Sequence, residues 1–289
     1  MRESPGSGSR SDPDPLSRIA DALERLSPPP PDPAALGTSS SFVWRPGAGG
    51  LVAAPVRSPP LRLLLEVERQ KGALLANTRR FAAGSPANNA LLWGVRGAGK
   101  SALVKAIHAE VSAEAAALKL IETPREDFAA IPSLIAQLQQ APFRVILFVD
   151  DLSFEGGETA MKALKPALDG GLAAQNGNLL VYATSNRRHL VSRDARENDR
   201  TDLHWSDTAE ERLALADRFG LWLGFHALDQ DGYLRIVESY AAEMNLDIAP
   251  DDLRKRALQW SMERAARSGR TAWQFITALS GELGERAQA

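Results

Sequence analysis

The sequence predicts a doubly wound, parallel α/β sheet followed by a small helical domain, and three observations carry that expectation. Short apolar runs alternate strictly with helical patterns between residues 90 and 225. One of these runs, VILFV at 145–149, is apolar without interruption, as in a strand buried on both faces of a parallel sheet. A glycine loop ending in Lys100 and Ser101 joins the first run to the first helix.

The elements follow in order. Residues 1–15 are Ser, Pro, Gly and charge, too poor in apolar side chains to offset the entropy of ordering, and are expected to be disordered. LSRIADALERL (16–26) sets Leu16, Ile19, Leu23 and Leu26 on one helical stripe. It reads as a docking helix for its own domain or, because a Pro-rich linker follows from Ser27 to Pro33, as a partner-binding helix. Residues 36–60 are punctuated by Pro and Gly, with Phe42, Val43 and Trp44 as anchor, and read as an arm. A helical pattern runs from Leu61 to a stop at Gly84 and Pro86. Strands are expected at 90–93, 118–122, 145–149, 179–184 and 221–225, with helices from Lys100 to about Ala117, over 131–140 and around 157–169. Beyond Asp229 the pattern is wholly helical, one helix ending at Gly269. The expected division is an N-terminal arm (1–60), an α/β core (61–228) and a helical lid (229–289).

Composition narrows the chemistry. The chain of 289 residues is 44% apolar and 24% charged, and its net charge of -2 offers no bulk attraction to nucleic acid or anionic lipid. With no cysteine, disulfides, thiolate zinc sites and thiol catalysis are excluded, and a reducing compartment is the simplest setting. The opening residues lack the apolar stretch of a secretory signal, and no run reaches membrane-spanning length, so the expected location is the cytoplasm, with no membrane partner.

Gly94, Val95, Arg96, Gly97, Ala98, Gly99, Lys100 and Ser101 fit G-x-x-x-x-G-K-[ST] between a strand and a helix. The glycines let backbone N–H groups turn toward phosphate oxygens, and the helix N-terminus adds its positive end. Lys100 would reach the β and γ phosphates of ATP, and the Ser101 hydroxyl would bind Mg²⁺. Fifty residues on, the buried strand ends in Asp150 and Asp151. Asp150 would hold the magnesium through water, and Asp151 would polarise the attacking water.

These residues resemble the AAA+ ATPases from about Leu61 to the C-terminus. LLWGVRGAGKSALVKA, FVDDLSFE, ALKPALDGG, YATSNRRHL and DRFGLWLGF resemble more closely an uncharacterised bacterial AAA+ family known mainly as a domain of unknown function. The resemblance implies a five-stranded core with a helical lid. It implies Asn186, with Thr184 as second choice, as the polar sensor after the fourth strand, and Arg218 as the arginine finger supplied to a neighbouring subunit. Arg187 and Arg188 are rivals for the finger. Arg270, with Arg267 as runner-up, would be the lid's arginine sensor. The family usually carries Asp-Glu where this chain has Asp150-Asp151; the shorter side chain implies slow hydrolysis, with Glu155 as a possible assistant.

The function expected is an ATP-hydrolysing subunit of a homo-oligomer whose shape follows its nucleotide and which acts on an unidentified protein client. The alternatives are a nucleotide-dependent switch or loader with little hydrolysis, and a P-loop kinase, against which the C-terminal lid argues. RRHL and RDARENDR are charged enough to touch nucleic acid, but their mixed signs favour a solvated loop.

Overall fold

The computed structural model describes residues 14–16, 18–19, 33–48, 50–138, 141–152, 163–165, 167–168, 177–186 and 217–288. Its strands are β1 (Ser41–Arg45), β2 (Gly50–Ala53), β3 (Ala90–Gly94), β4 (Leu118–Glu122), β5 (Arg144–Val149), β6 (Leu179–Ser185) and β7 (Leu221–Phe225). They form one sheet in the order β2-β1-β4-β5-β6-β3-β7. From β4 to β7 every neighbouring pair is parallel.

The side-chain period of two explains how this sheet is covered. Leu91, Val145, Leu147, Val149, Val181 and Ala183 enter the core on one face, and Ala90, Leu92, Ile146, Phe148, Leu180 and Tyr182 the core on the other. Both faces are therefore dry, which is why the strands read as continuous apolar runs. The first face is covered by α3 (Ile131–Leu138), which buries Ile131, Leu134, Ile135 and Leu138. The second is covered by α1 (Glu68–Ala82) and α2 (Lys100–Glu114), which bury Leu74, Phe81, Leu103, Val104 and Ile107.

The sheet has seven strands where five were expected. SFVWR alternates well enough to bury Phe42 and Trp44, and β1 pairs in parallel with β4, whose edge would otherwise be open. Lys119 Nζ donates to Ser39 O at 2.8 Å and fixes the approach of this hairpin. The arm residues 41–45 and 50–53 are thus part of the sheet. A second difference lies at Leu61, where a helix was expected to begin. Leu61–Leu63 form a 3-10 turn, Glu66 takes φ 65, and α1 starts only at Glu68. A side chain in the left-handed region interrupts a right-handed helix, and adjacent leucines here are drawn into two different cores. Residues 15–16 and 18–19 are helical with Leu16 and Ile19 exposed; the remainder of the stripe lies outside the described residues.

Three helices follow β7: α4 (Gln230–Glu243), α5 (Pro250–Glu263) and α6 (Gly269–Gln288). Asp229 caps α4 by accepting from Gly232 N at 2.7 Å. α5 stops six residues short of Gly269, because Ala265 turns left-handed at φ 46. Tyr233, Val237, Ala257, Ala272, Ile276 and Leu279 fill a core of their own, joined by Leu63 from the segment before α1. Among the described residues no helix is long and apolar enough to cross a membrane.

Candidate functional site

The loop between β3 and α2 is built by glycines in conformations other residues avoid. Gly94, Gly97 and Gly99 take φ 131, 75 and 93, and Gly99 is the N-cap of α2. Lys100 opens the helix and is only 5% exposed. Its ammonium donates to Gly94 O at 3.0 Å, Val95 O at 2.8 Å and Asn186 Oδ1 at 2.9 Å. Burial pulls its pKa from 10.5 down to about 8; Asp150 and Asp151 oppose the shift, and Arg270 and Arg96 add to it. A buried cation short of counter-charge is suited to an anionic ligand.

The ends of β5 and β6 bring the two aspartates and the sensor candidates together. Ser101 Oγ and Thr184 Oγ1 each donate to Asp150 Oδ1 at 2.6 Å. Thr184 Oγ1 also accepts from Asp151 N at 2.8 Å, so one hydroxyl aligns both acids. Asp151 adopts φ 54, which aims its carboxylate at Asn186, whose Nδ2 donates to Oδ1 at 2.5 Å. Asn186 therefore bridges Lys100 and Asp151. The hydroxyl of Ser101 and the carboxylate of Asp150 are the hard oxygen donors that Mg²⁺ takes. Among the described residues no group of three or more His, Cys, Asp or Glu could hold a metal unaided. A magnesium held by one carboxylate, with phosphate oxygens and water in its other positions, fits this donor set.

The lid completes the site. Arg270 N donates to Gly97 O at 3.2 Å, so the start of α6 sits on the tip of the glycine loop. The loop, Asp150, Asp151, Thr184, Asn186 and Arg270 line one cleft of about 1240 Å³. Its wall also takes in residues 56–60 and 63–67, the end of β7 from Phe225, and Tyr240 and Trp273, whose rings meet edge to face at 5.3 Å. Sequence reasoning missed this wall. The pair Pro59-Pro60, which stops regular structure ahead of Leu61, was the available signal.

Arg218 lies in the turn before β7, partly buried beside Phe219, and is not part of the cleft wall. Arg267 is not in the wall either, whereas Arg96 is. Arg187, Arg188 and Glu155 lie outside the described residues.

A family model described as "Protein of unknown function (DUF815)" matches residues 37–283. The chain belongs to the DUF815 family. No curated protein matches this DUF815 chain. Among solved structures, the Aeropyrum pernix ORC1 protein in complex with DNA is 17% identical to it at a TM-score of 0.54, over 79% of this chain and 65% of that one. The Thermotoga maritima RuvB Holliday junction branch migration motor is 17% identical at a TM-score of 0.45, over 78% and 73% of the two chains. A DNA replication initiation factor is 18% identical at 0.48, over 79% and 67%. At such identity the ORC1 match establishes the fold alone. The DUF815 chain has the AAA+ fold, as its motifs implied.

Proposed function

We propose that this protein binds MgATP in the cleft, hydrolyses it slowly, and passes the change of nucleotide state to its helical lid and to neighbouring copies in a homo-oligomer. The observation that carries the reading is convergence: Lys100, Ser101, Asp150, Asp151, Asn186 and Arg270, from four separate elements, line a single cleft.

Each residue has a task within that reading. Lys100 leaves the Gly94 and Val95 carbonyls to meet the β and γ phosphates, which supply the counter-charge its burial lacks. Ser101 and, through water, Asp150 would hold Mg²⁺, which would supply charge neutralisation beside the phosphates. Asp151 takes the proton of the attacking water, and the Asn186 amide orients that water beside the γ phosphate. The Arg270 guanidinium answers the γ phosphate from the lid, so hydrolysis removes one of the ties between α6 and the site and leaves the backbone bond from Arg270 N to Gly97 O. Arg218 serves the site of an adjacent copy. The Asp151 carboxylate is one methylene shorter than a glutamate's and is held by Asn186. That restraint also favours the second reading, a nucleotide-dependent switch or loader with very low turnover.

Nucleotide titration and phosphate release without an acceptor test the reading. Lys100→Ala is expected to lose ATP binding with the fold intact, and unchanged affinity would sink the phosphate-site assignment. Asp151→Asn is expected to hold MgATP and release no phosphate. Turnover at the parent rate in that variant places the base elsewhere. Phosphate release from the parent also separates hydrolysis from a kinase, which needs an acceptor.

A further inference from the structure

We propose that Arg96 is the residue by which this cleft distinguishes ATP from ADP: from the glycine loop its guanidinium, together with that of Arg270, answers the terminal phosphate bound in its own copy. The inference rests on the cleft being a nucleotide site. It concerns a position that the pattern G-x-x-x-x-G-K-[ST] leaves open to any residue.

The backbone on each side of Arg96 is pinned. Val95 N donates to Phe225 O at 3.0 Å, and Val95 O accepts from Lys100 Nζ at 2.8 Å. Gly97 O accepts from Arg270 N at 3.2 Å. When Lys100 turns to the phosphates, the bonds to Phe225 and to the lid still hold the loop. Arg96 itself lines the cleft with Lys100 and Arg270.

Arg96 is short of counter-charge. Among the described residues no carboxylate lies within ion-pair distance of it. The two aspartates of the cleft are engaged elsewhere: Asp150 Oδ1 accepts from Ser101 and Thr184, and Asp151 Oδ1 accepts from Asn186. What Arg96 meets instead is like charge. Burial chiefly lowers the pKa of Lys100, and the charges of Arg270 and Arg96 lower it further. Three cations, from the loop, the start of α2 and the lid, therefore line one cleft, and their repulsion is relieved by an anion. ATP carries one more negative charge than ADP, and carries it on the terminal phosphate. Arg270 meets the loop at Gly97, the residue next to Arg96, so the γ phosphate that Arg270 answers lies within reach of both guanidinium groups. The planar fork of an arginine matches two oxygens of one phosphate. With no native partner to lose, Arg96 should register in nucleotide preference and not in folding.

The test measures the affinity of the full chain for ADP and for a non-hydrolysable ATP analogue, both with magnesium, in the parent, Arg96→Ala and Lys100→Ala. Thermal melts of the empty proteins accompany it. Arg96→Ala is expected to bind the analogue about tenfold more weakly, the scale of one charge-assisted hydrogen bond, and ADP less than about twofold more weakly. The melting temperature of empty Arg96→Ala should stay within about 2 °C of the parent's or rise. The loss should be the same at every protein concentration, because Arg96 lines the cleft of its own copy. A parental ratio of the two affinities overturns the proposal, and so does equal weakening of both, which would put Arg96 on the phosphates that ATP and ADP share. A loss that disappears on dilution gives Arg96 to a neighbour's site and overturns it too, as does a melting temperature lowered beyond that margin, which makes Arg96 structural. If Lys100→Ala loses both nucleotides while Arg96→Ala keeps the parental ratio, only the role of Arg96 falls; if Lys100→Ala binds both as the parent does, the nucleotide reading falls and Arg96's role falls with it.

Discussion

Gly94 and Gly97 both belong to the glycine loop between β3 and α2, yet substituting them by alanine should break different things. At Gly94 an added Cβ would overlap the Phe225 carbonyl, with the carbonyl carbon at 2.8 Å and the Phe225 nitrogen at 2.9 Å. These are backbone atoms of β7 and cannot swing away. The φ of 131 adds a conformation closed to alanine, worth about 1–3 kcal/mol. Pushing β7 aside also weakens the bond from Val95 N to Phe225 O and its neighbours in the ladder, each about 1 kcal/mol net. Gly94→Ala should therefore lose about 3–5 kcal/mol. At about 2–4 °C per kcal/mol for a chain of this size, melting should fall by about 6–20 °C. At Gly97 the obstacles are Ser268 Oγ at 2.8 Å, which can rotate, and Ser268 Cβ and Arg270 Cβ at 3.2 and 3.3 Å, which need shift by only a few tenths of an ångström. The left-handed φ of 75 costs about 1–2 kcal/mol, so melting should drop by only about 2–8 °C. The damage there should appear in nucleotide binding, because α6 is displaced from the loop tip. Calorimetry without nucleotide, paired with ATP titration, separates the two variants. A Gly94→Ala chain that melts within about 2 °C of the parent, or below which Gly97→Ala melts, would refute the packing argument.

Two further predictions concern charge and assembly. Because Lys100 has its folded pKa lowered to about 8 from 10.5, the unfolded chain binds more protons between those values, and its contribution to stability rises as pH rises through that window. Parent minus Lys100→Met unfolding free energy should increase by up to about 3 kcal/mol from pH 8 to 10.5 in urea melts, and a flat or falling difference would contradict it. If Arg218 acts on a neighbour, hydrolysis per subunit should rise with protein concentration, and mixing Arg218→Ala with Lys100→Ala should restore activity absent from either alone; an inactive mixture of folded chains makes Arg218 a structural cation.

How much of this was legible depended on the range of the forces involved. That Lys100, Ser101 and Asp150 meet at one cleft was readable because a glycine loop and a buried strand end are local patterns, and LWLGF was read residue for residue because a short apolar run with Leu223 and Phe225 buried on one face is a local pattern too. β1 and β2 were not. Phe42 and Trp44 give only two alternations among Pro and Gly, and what makes them a strand is the open edge of β4, nearly eighty residues away by sequence. The helix expected from Leu61 failed for a different reason. Leu61, Leu64 and Leu65 have helical spacing, but Leu61 and Leu64 pack against α2 while Leu63 joins the core of the lid. Periodicity records that side chains are buried, and it cannot record that two bodies bury them.

That shared segment has a mechanical consequence. Leu61, Leu64 and Val67 lie in the core with Leu103, Val104 and Ile107 of α2, the helix that Lys100 opens. Leu63 lies among Tyr233, Val237 and Tyr240, and Glu66 and Arg62 pair with Arg235 and Glu243 of α4. Residues 63–67 also line the cleft that the glycine loop lines. A rotation of the lid that left this wall in place would have to pull Leu63 out of an apolar core, at about 1.5–3 kcal/mol for a leucine. One that carried the wall along would drag Leu61 and Leu64 from theirs. The two ion pairs are largely exposed and resist neither movement strongly. Small lid movements are therefore absorbed by the kink at Glu66, whose left-handed φ is the one backbone strain between Leu61 and Val67. Larger ones must alter the cleft wall, so under the proposed nucleotide binding, occupancy of the cleft and the angle of the lid would be coupled through packing.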